Sequence, residues 1–246
     1  MVGPPGFIRG AVSRDEPSFN DLQMQHLLPP NDRVRPQGVF KSDLMCRDTQ
    51  TFGNYSLKFP QLEAHPGDYI ALQYQENGHV TLLPNSPQKT DSGMIYIYGT
   101  TNPHDDDRFV DIHKVWNEEG TGGNGRGMLL KTWSFDDGQC YQLNEGQTSA
   151  TRQRNYPKAA VQPQGSDLWC QTDIRLPSTT QNTLTIYWVW DFSAPSSPKI
   201  PNGKSEFYTS CMDIKLAKEN HNYDISFVEG QDLNFAGIKA QLLNHS

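Results

Sequence analysis

Five short runs of alternating residues, separated by turn-forming sequences, constrain the fold of this chain most strongly. The runs are Tyr69–Tyr74, His79–Leu83, Met94–Tyr98, Met128–Trp133 and Leu184–Trp190. Alternation with period two is typical of β-strands, because successive side chains of a strand point to opposite faces of the sheet. Turn sequences lie between the runs, in a chain with 20 glycines and 17 prolines. The sequence therefore predicts an all-β fold, an immunoglobulin- or fibronectin-like antiparallel β-sandwich with long loops and short helices.

The remaining segments are predicted as loops, short helices and a terminal strand. A short helix is expected over 20–28, ending at Pro29–Pro30. The segment Phe109–Trp116 fits either a helix or a strand. No repeat, low-complexity tract or linker interrupts the sequence. We therefore expect one β-sandwich domain over residues 1–213, followed by a closing strand and a tail over residues 214–246.

The charge balance and hydropathy of the chain exclude several classes of function. Lys and Arg number 21 against 28 Asp and Glu, a formal net charge of −7, and no basic run occurs. Nucleic-acid binding, which needs a basic surface to meet the phosphates, is therefore not expected. No stretch approaches the roughly 20 apolar residues of a membrane span. Aromatic residues make up 11% of the chain, which favours a folded core over disorder. We expect a monomer.

Two short motifs match ligand-binding patterns by letter only. Gly120–Gly125 has the G-x-G-x-x-G spacing, but carboxylates precede it and no helix is predicted after it. We therefore expect a surface loop there and no dinucleotide site. The stretch His104–Asp107 offers oxygen ligands to a hard cation, although consecutive acidic residues on a loop are usually only solvated. The G-x-S-x-G motif of many hydrolases does not occur.

Cysteines and glycosylation motifs indicate an extracellular protein. The four cysteines, an even number without C-x-x-C spacing, suit disulfides better than a zinc or redox site. N-glycosylation motifs stand at Asn54 and Asn244. The first residues carry no signal peptide, and a cytosolic protein with four thiols and two chance motifs is the alternative. We expect secretion of a longer form, of which the present chain lacks the beginning, including the first strand and an amino-terminal histidine.

His79 and Tyr208 are the residues that most suggest a chemical function. His79 follows the predicted strand Tyr69–Tyr74, and Tyr208 lies three residues before Cys211. A single histidine beside a glycine turn is most often a surface or capping residue. The order cysteine, histidine, tyrosine, cysteine changes that interpretation, because Cys46 precedes His79 by 33 residues.

This set resembles the lytic polysaccharide monooxygenases of fungi, which are secreted copper enzymes with an immunoglobulin-like β-sandwich. In those enzymes, a cysteine upstream of a copper-binding histidine pairs with a cysteine shortly after an axial tyrosine. More closely, the chain is similar to an uncharacterised group of fungal secreted proteins related to these enzymes. That similarity covers roughly residues 4–213 and includes Tyr98–Thr101, Phe135–Gln142 and Ile186–Trp190.

The resemblance implies two disulfides and a copper site. His79 would bind copper together with the ring and the α-amine of an amino-terminal histidine, a nitrogen set that suits Cu(II). Tyr208 would lie on the axial side of the metal. The implied disulfides are Cys46–Cys211 and Cys140–Cys170.

The implied activity is oxidative cleavage of cell-wall polysaccharide, with copper as the cofactor that carries out the oxidation. Tyr208 and Glu206 are the catalytic candidates. Glu206 stands where these enzymes have a glutamine, and Trp188 stands where they have a histidine on the preceding strand. None of the seven histidines begins this chain. We therefore expect the chain as given to be inactive.

Two alternatives to the oxidative enzyme remain. The first is a non-catalytic extracellular protein that binds copper or cell-wall glycan, since sugar rings stack on aromatic side chains. The second is a structural extracellular domain without a metal. Most tryptophans are expected in the core, because they alternate with aliphatic residues on strands. The five tryptophans are Trp116, Trp133, Trp169, Trp188 and Trp190.

Overall fold

The computed structural model describes most of the chain between residues 5 and 217. The described stretches are residues 5–17, 19–33, 38–86, 88–158, 165–179, 181–198 and 200–217. The predicted tail and the glycosylation motif at Asn244 lie outside the described residues.

The described residues form eight strands, two short α-helices and two short 3-10 helices. The strands are β1 (His26–Leu28), β2 (Leu62–Ala64), β3 (Tyr69–Tyr74), β4 (Met94–Thr100), β5 (Gly127–Ser134), β6 (Cys170–Arg175), β7 (Thr183–Asp191) and β8 (Phe207–Leu216). The α-helices are α1 (Phe109–Ile112) and α2 (Gln147–Asn155), and the 3-10 helices are Asp21–Gln23 and Leu83–Asn85. No helix among these residues is long and apolar enough to cross a membrane.

The strands make two sheets that pack together. The larger sheet has the order β1-β8-β7-β4-β5, and its neighbours are antiparallel. β2 joins this sheet by pairing in parallel with the second half of β8. The smaller sheet contains β3 and β6, which are antiparallel. The structure confirms the predicted β-sandwich, in which β8 is the last described strand and ends at Leu216.

The main core lies between the two sheets, and alternate residues of β7 fill it. Ile186, Trp188 and Trp190 of β7 pack there with Ile70 of β3 and Ile174 of β6. Because the other residues of β7 are also buried, this strand is central in the sheet and apolar on both faces. Trp116, Trp188 and Trp190 are buried, as predicted, whereas Trp133 and Trp169 are half-buried.

A second core covers the opposite face of the larger sheet. Tyr187 and Val189 of β7 contribute to it, together with Trp116 and the disulfide between Cys46 and Cys211. This disulfide ties the loop before β2 to the middle of β8. The other disulfide joins Cys140 to Cys170 at the start of β6. Both pairs are those that the resemblance implies.

The prediction of a strand over His79–Leu83 is wrong. The chain there forms consecutive turns and then the 3-10 helix Leu83–Asn85. The buried carboxylate of Glu76 accepts hydrogen bonds from the backbone N–H groups of Val80 and Thr81, so these groups cannot enter a β-ladder. Pro84 also removes a backbone donor that a strand needs.

The predicted helix over 20–28 is shorter than expected. Only Asp21–Gln23 is helical, as a 3-10 turn, and His26–Leu28 instead pairs with Phe207–Thr209 of β8. A strand at the sheet edge satisfies the backbone groups that a longer helix would have paired internally. The ambiguous segment Phe109–Trp116 is helical only over Phe109–Ile112.

The glycine-rich segment Gly120–Gly125 is a loop of turns, as predicted. It leads into β5 at Gly127 and not into a helix, so it presents no helix N-terminus to a phosphate. Gly122 lies so close to the carbonyl of Val115 that an added Cβ would stand 2.1 Å from its oxygen. The glycines therefore serve the close packing of this loop.

Candidate functional site

His79 lies on a tight loop that follows β3. Asn77 and Gly78 have φ angles of 46° and 78°, a conformation that favours asparagine and glycine. The backbone N–H of His79 donates to the carbonyl oxygen of Glu76 at 2.8 Å and closes the turn. The hydroxyl of Ser92 donates to the carbonyl oxygen of His79 at 2.8 Å. The backbone of His79 is therefore held from both sides.

The carboxylate of Glu76 fixes this loop from inside the protein. It is only 2% exposed and accepts hydrogen bonds from the backbone N–H of Val80 at 2.8 Å and of Gln142 at 2.9 Å. The hydroxyl of Thr81 also donates to it. A buried carboxylate needs such donors to offset the loss of its hydration. Glu76 thus links the His79 loop to the segment after the Cys140 disulfide.

The imidazole of His79 is half-buried against aromatic rings. Its ring centroid lies 5.1 Å from that of Trp190 and 4.9 Å from that of Phe192, both in edge-to-face arrangements. Burial lowers the pKa of His79, Lys89 acts in the same direction, and the carboxylates of Glu206 and Glu76 oppose the change. The ring is therefore neutral at neutral pH and offers a nitrogen lone pair.

Tyr208 approaches the same tryptophan from the neighbouring strand. β8 places it directly opposite Trp190 of β7, and the two rings stack with centroids 4.9 Å apart. The phenol donates a hydrogen bond to Oε1 of Glu206 at 3.0 Å. Burial raises the pKa of Tyr208, and the nearby Glu206 carboxylate raises it further, so the phenol stays protonated.

Glu206 is the centre of a charged cluster at this end of the sandwich. Its Oε2 accepts from Nζ of Lys89 at 2.7 Å and from Nζ of Lys204 at 2.9 Å. Although burial acts to raise it, these two ammonium groups hold the pKa of Glu206 below its usual value. Lys89 also lies 3.9 Å from the ring centroid of Phe192. We call Lys89, Lys204, Glu206 and Tyr208 the Glu206 cluster.

The geometry brings the three predicted site residues to one end of the molecule. His79 and Tyr208 both contact Trp190, and Glu206 joins them through the phenol of Tyr208.

A family model described as a domain of unknown function (DUF7492) matches residues 1–239. The chain belongs to this family. No curated protein matches it.

One buried tryptophan of β7 contacts both His79 and Tyr208 in this DUF7492 protein. Trp190, and not Trp188, lies beside His79 and Tyr208. Trp188 is opposite Ser210 in the register of β7 and β8, and its ring contacts Tyr74 at 5.1 Å. Both tryptophans point to the same face, so the alternation of residues alone does not distinguish them.

Three further residues of this DUF7492 protein were missed by the sequence analysis. Glu76 holds the His79 loop, Lys89 pairs with Glu206, and Phe192 contacts both His79 and Lys89. The alternating pattern gives no signal for Glu76, because it lies in a turn. Lys89 is 117 residues from Glu206 in the chain, and the pairing exists only in the folded state.

At this end of the DUF7492 fold, His79 lies on the face of Trp190 and Tyr208, whereas His113 packs against Phe207 and His26 bonds to Thr209 on the other face of the larger sheet. Among the described residues, the only close group of three metal-ligating side chains is Asp137, Cys140 and Cys170. Its two cysteines form a disulfide, so they are not thiolate ligands. The described residues near His79 therefore supply one nitrogen and one phenol. These groups fit part of a copper site and not a complete one.

Proposed function

We propose that this DUF7492 protein is a secreted copper-binding relative of the lytic polysaccharide monooxygenases. In its full-length form it acts as a monomer on cell-wall polysaccharide. The observation that carries the proposal is the contact of His79 and Tyr208 with the same ring, Trp190. A neutral imidazole on the loop after β3 and a protonated phenol on β8 both pack on that ring, and a disulfide cysteine lies three residues beyond the tyrosine.

Secretion is supported by the covalent structure. Both disulfides are formed, and stable disulfides are typical of oxidising compartments. The asparagine of the first glycosylation motif, Asn54, is exposed. A glycan on Asn54 would stand at the surface, on the loop that precedes β2.

The second nitrogen donor in this proposal is an amino-terminal histidine of a longer form. The backbone N–H of Arg9 donates to the carbonyl of Cys211, and Gly6 lies against Leu62, which pairs with Ile214. From Arg9 back to Gly6, the chain thus moves away from Tyr208. Ile214 lies six positions after Tyr208 in β8, which corresponds to about 20 Å. We expect the donor at least about six extended residues before Gly6.

Each residue of the site has a separate role in this proposal. His79 would supply a lone pair to copper from a fixed ring, and Tyr208, held by its packing on Trp190, would offer its phenol at the site. The carboxylate of Glu206 accepts a hydrogen bond from the phenol of Tyr208 and thereby orients it. Bound copper would supply the oxidation of the polysaccharide, a reaction for which protein side chains alone are not suited.

A non-catalytic copper- or glycan-binding role is the second candidate. The observation that favours it is the Glu206 cluster, in which the carboxylate is paired with two lysines. An ionised carboxylate only accepts hydrogen bonds, whereas the glutamine of the enzymes can also donate one. In this role, the site binds its ligand without the hydrogen-bond donor that the glutamine of the oxidative enzymes supplies beside the tyrosine.

The first experiment determines the amino terminus of the secreted protein by mass spectrometry. We expect histidine as the first residue, and any other first residue contradicts the proposed copper site. Cu(II) titration of that form is then followed by electron paramagnetic resonance. His79→Ala should remove the bound-copper signal, whereas His104→Ala, on an exposed loop, should leave it unchanged.

The second experiment separates the two candidate functions. The copper-loaded secreted form is incubated with ascorbate and a panel of polysaccharides. Oxidised oligosaccharides support the enzyme, and copper binding without oxidised products supports the non-catalytic role. The absence of any copper signal that depends on His79 overturns both copper proposals and favours a structural domain.

A further inference from the structure

Three Asn-Gly pairs of the chain allow a direct comparison of backbone reactivity. They are Asn77–Gly78, Asn124–Gly125 and Asn202–Gly203, and all three are described. An asparagine followed by glycine can cyclise, because no side chain hinders the approach of the glycine nitrogen to the asparagine amide carbon. The reaction needs a free backbone N–H and a mobile side-chain amide. Hydrogen bonds to either group oppose it.

Two of the pairs are protected by such hydrogen bonds. The N–H of Gly125 donates to the carbonyl of Gly122 at 3.1 Å. The side-chain oxygen of Asn124 accepts from the indole N–H of Trp116 at 3.2 Å and from the backbone N–H of Arg126 at 3.1 Å. Both reacting groups of this pair are therefore held.

The pair Asn202–Gly203 is protected on one side only. The N–H of Gly203 donates to the carbonyl of Ile200 at 2.9 Å. The side chain of Asn202 makes no hydrogen bond within the described part of the chain. This pair is intermediate between the other two.

Asn77–Gly78 lacks both kinds of protection. Asn77 is exposed, and neither its side-chain amide nor the N–H of Gly78 has a hydrogen-bond partner among the described residues. The carbonyl of Gly78 accepts from the N–H of Leu82, but this bond leaves the Gly78 nitrogen available. The hydrogen-bond pattern thus makes this the most reactive of the three pairs.

We propose that Asn77 is a site of spontaneous deamidation that modifies the His79 loop. The backbone nitrogen of Gly78 attacks the side-chain amide carbon of Asn77, the new N–C bond forms, and ammonia leaves with the displaced proton. Water then opens the resulting succinimide at either carbonyl and gives aspartate or isoaspartate. No electrons are transferred, and water is the only co-reactant.

The modification changes the loop two residues before His79. Isoaspartate adds one atom to the backbone of a turn that is closed by the hydrogen bond from His79 N–H to the Glu76 carbonyl. Either product also adds a negative charge next to Glu76, whose carboxylate is buried. An isoaspartate at position 77 would therefore lengthen the turn that positions His79, whatever ligand the site binds.

The test is a rate comparison within one protein. The chain, with its disulfides intact, is incubated at mildly alkaline pH in heavy-oxygen water, and peptide mapping by mass spectrometry follows label uptake at each asparagine. We expect the native rates in the order Asn77, Asn202, Asn124. Asn77 should react about fivefold faster than Asn202, since one hydrogen bond contributes about that factor. In concentrated urea the three rates should converge.

Two results would overturn the proposal. One is a native rate at Asn77 no higher than that at Asn202. The other is a lead of Asn77 that persists in urea, because the cause is then the local sequence and not the fold. Asn77→Gly is the matched variant, since glycine accepts the positive φ angle and has no amide. It should abolish isoaspartate formation in the His79 loop, as detected with an isoaspartyl methyltransferase, and any remaining isoaspartate there contradicts the assignment.

Discussion

Strand β8, together with the residue just before it, carries two buried ion pairs that differ in how completely they are enclosed. Near its end, Asp213 pairs with Arg9, and their side chains are 1% and 0% exposed. Near its beginning, Glu206 pairs with Lys89, and their side chains are 10% and 7% exposed. A second ammonium group, from Lys204, reaches Glu206 from solvent, with a side chain 56% exposed.

The Asp213 pair is saturated with hydrogen bonds. Arg9 donates from Nε and Nη2 to the two carboxylate oxygens at 2.9 and 2.6 Å, a two-point contact that suits the planar guanidinium. The hydroxyl of Thr185 and the backbone N–H of Gly53 donate to the same carboxylate. A buried pair of this kind holds one arrangement of the chain, and no group in it is left for a ligand.

The Glu206 cluster differs from the Asp213 pair in its donors and in its exposure. Its ammonium groups are single charges on flexible side chains, and its carboxylate also receives the phenol of Tyr208. His79 lies next to it with a half-buried imidazole, whereas Trp190 is buried between the rings of Phe135 and Tyr208. The comparison shows that the Glu206 pair keeps partly exposed groups beside His79, whereas the Asp213 pair is closed to solvent.

The largest effect is expected from breaking the Asp213 pair. Asp213→Asn leaves the guanidinium of Arg9 buried without its counter-charge, which should lower the free energy of unfolding by about 3–5 kcal/mol. Urea denaturation with intact disulfides measures this change. The double variant Arg9→Met/Asp213→Leu should recover most of the loss, because no charge is then buried. A single-variant loss below about 1 kcal/mol would contradict the structural role of the pair.

A pH-dependent gain is expected at Asp173, another buried carboxylate, on β6. Burial raises the pKa of Asp173 from 3.8 to about 6. As the pH rises through this range, the unfolded chain releases the proton before the folded protein does. Stability therefore falls with pH, and the loss is complete above about pH 6. Asp173→Asn should raise the free energy of unfolding at pH 7 by at most about 3 kcal/mol.

The control for this experiment is the pH profile itself. Below the unfolded pKa of 3.8, Asp173 is protonated in both states, so the variant should have no advantage there. Asp106→Asn, at a side chain that is 88% exposed, should leave the profile unchanged. An equal gain at acidic and neutral pH would mean that packing, and not ionisation, explains the effect.

The main strands of the sandwich could be predicted from local sequence patterns. The alternation in Met94–Tyr98 and Leu184–Trp190 predicts β4 and β7. β4 begins with alternating burial, and β7 is buried on both faces. The same pattern fails at His79–Leu83, where the carboxylate of Glu76 takes the backbone donors into a turn. Side-chain hydrogen bonds of that kind are invisible to a count of apolar residues.

The candidate site could be predicted only in part, for a reason of distance along the chain. His79, Glu206 and Tyr208 follow from the resemblance. Lys89 does not, since its partner is far away in the sequence and no short motif relates them. Whether Trp188 or Trp190 lies opposite Tyr208 depends on the register of β7 against β8. The alternation of residues does not fix this register, because a shift by two residues leaves every side chain on the same face.

A moderate effect is expected from removing the buried partner of Glu206. Lys89→Met keeps the aliphatic stem against Phe192 and leaves Lys204 to compensate part of the charge, so we expect a loss of about 2 kcal/mol, less than at Asp213. A double-mutant cycle with Glu206→Gln isolates the pair and should give a coupling of about 1–2 kcal/mol. A coupling near zero would mean that Lys204 alone neutralises Glu206, and that Lys89 is held by Phe192.

The smallest effect is expected from the exposed pair of Lys215, on β8, and Glu63, on β2. Their charged atoms are 2.8 Å apart, as close as those of Lys89 and Glu206, but the side chains are 60% and 53% exposed. Lys215→Met should change the free energy of unfolding by less than about 0.5 kcal/mol, and that change should vanish in high salt. Urea denaturation at low and high ionic strength measures both. Because the distances match, a loss as large as that of Lys89→Met would mean that proximity alone sets the strength of these pairs. The expected difference would instead show that burial, and not distance, determines how much each ion pair contributes to the free energy of unfolding.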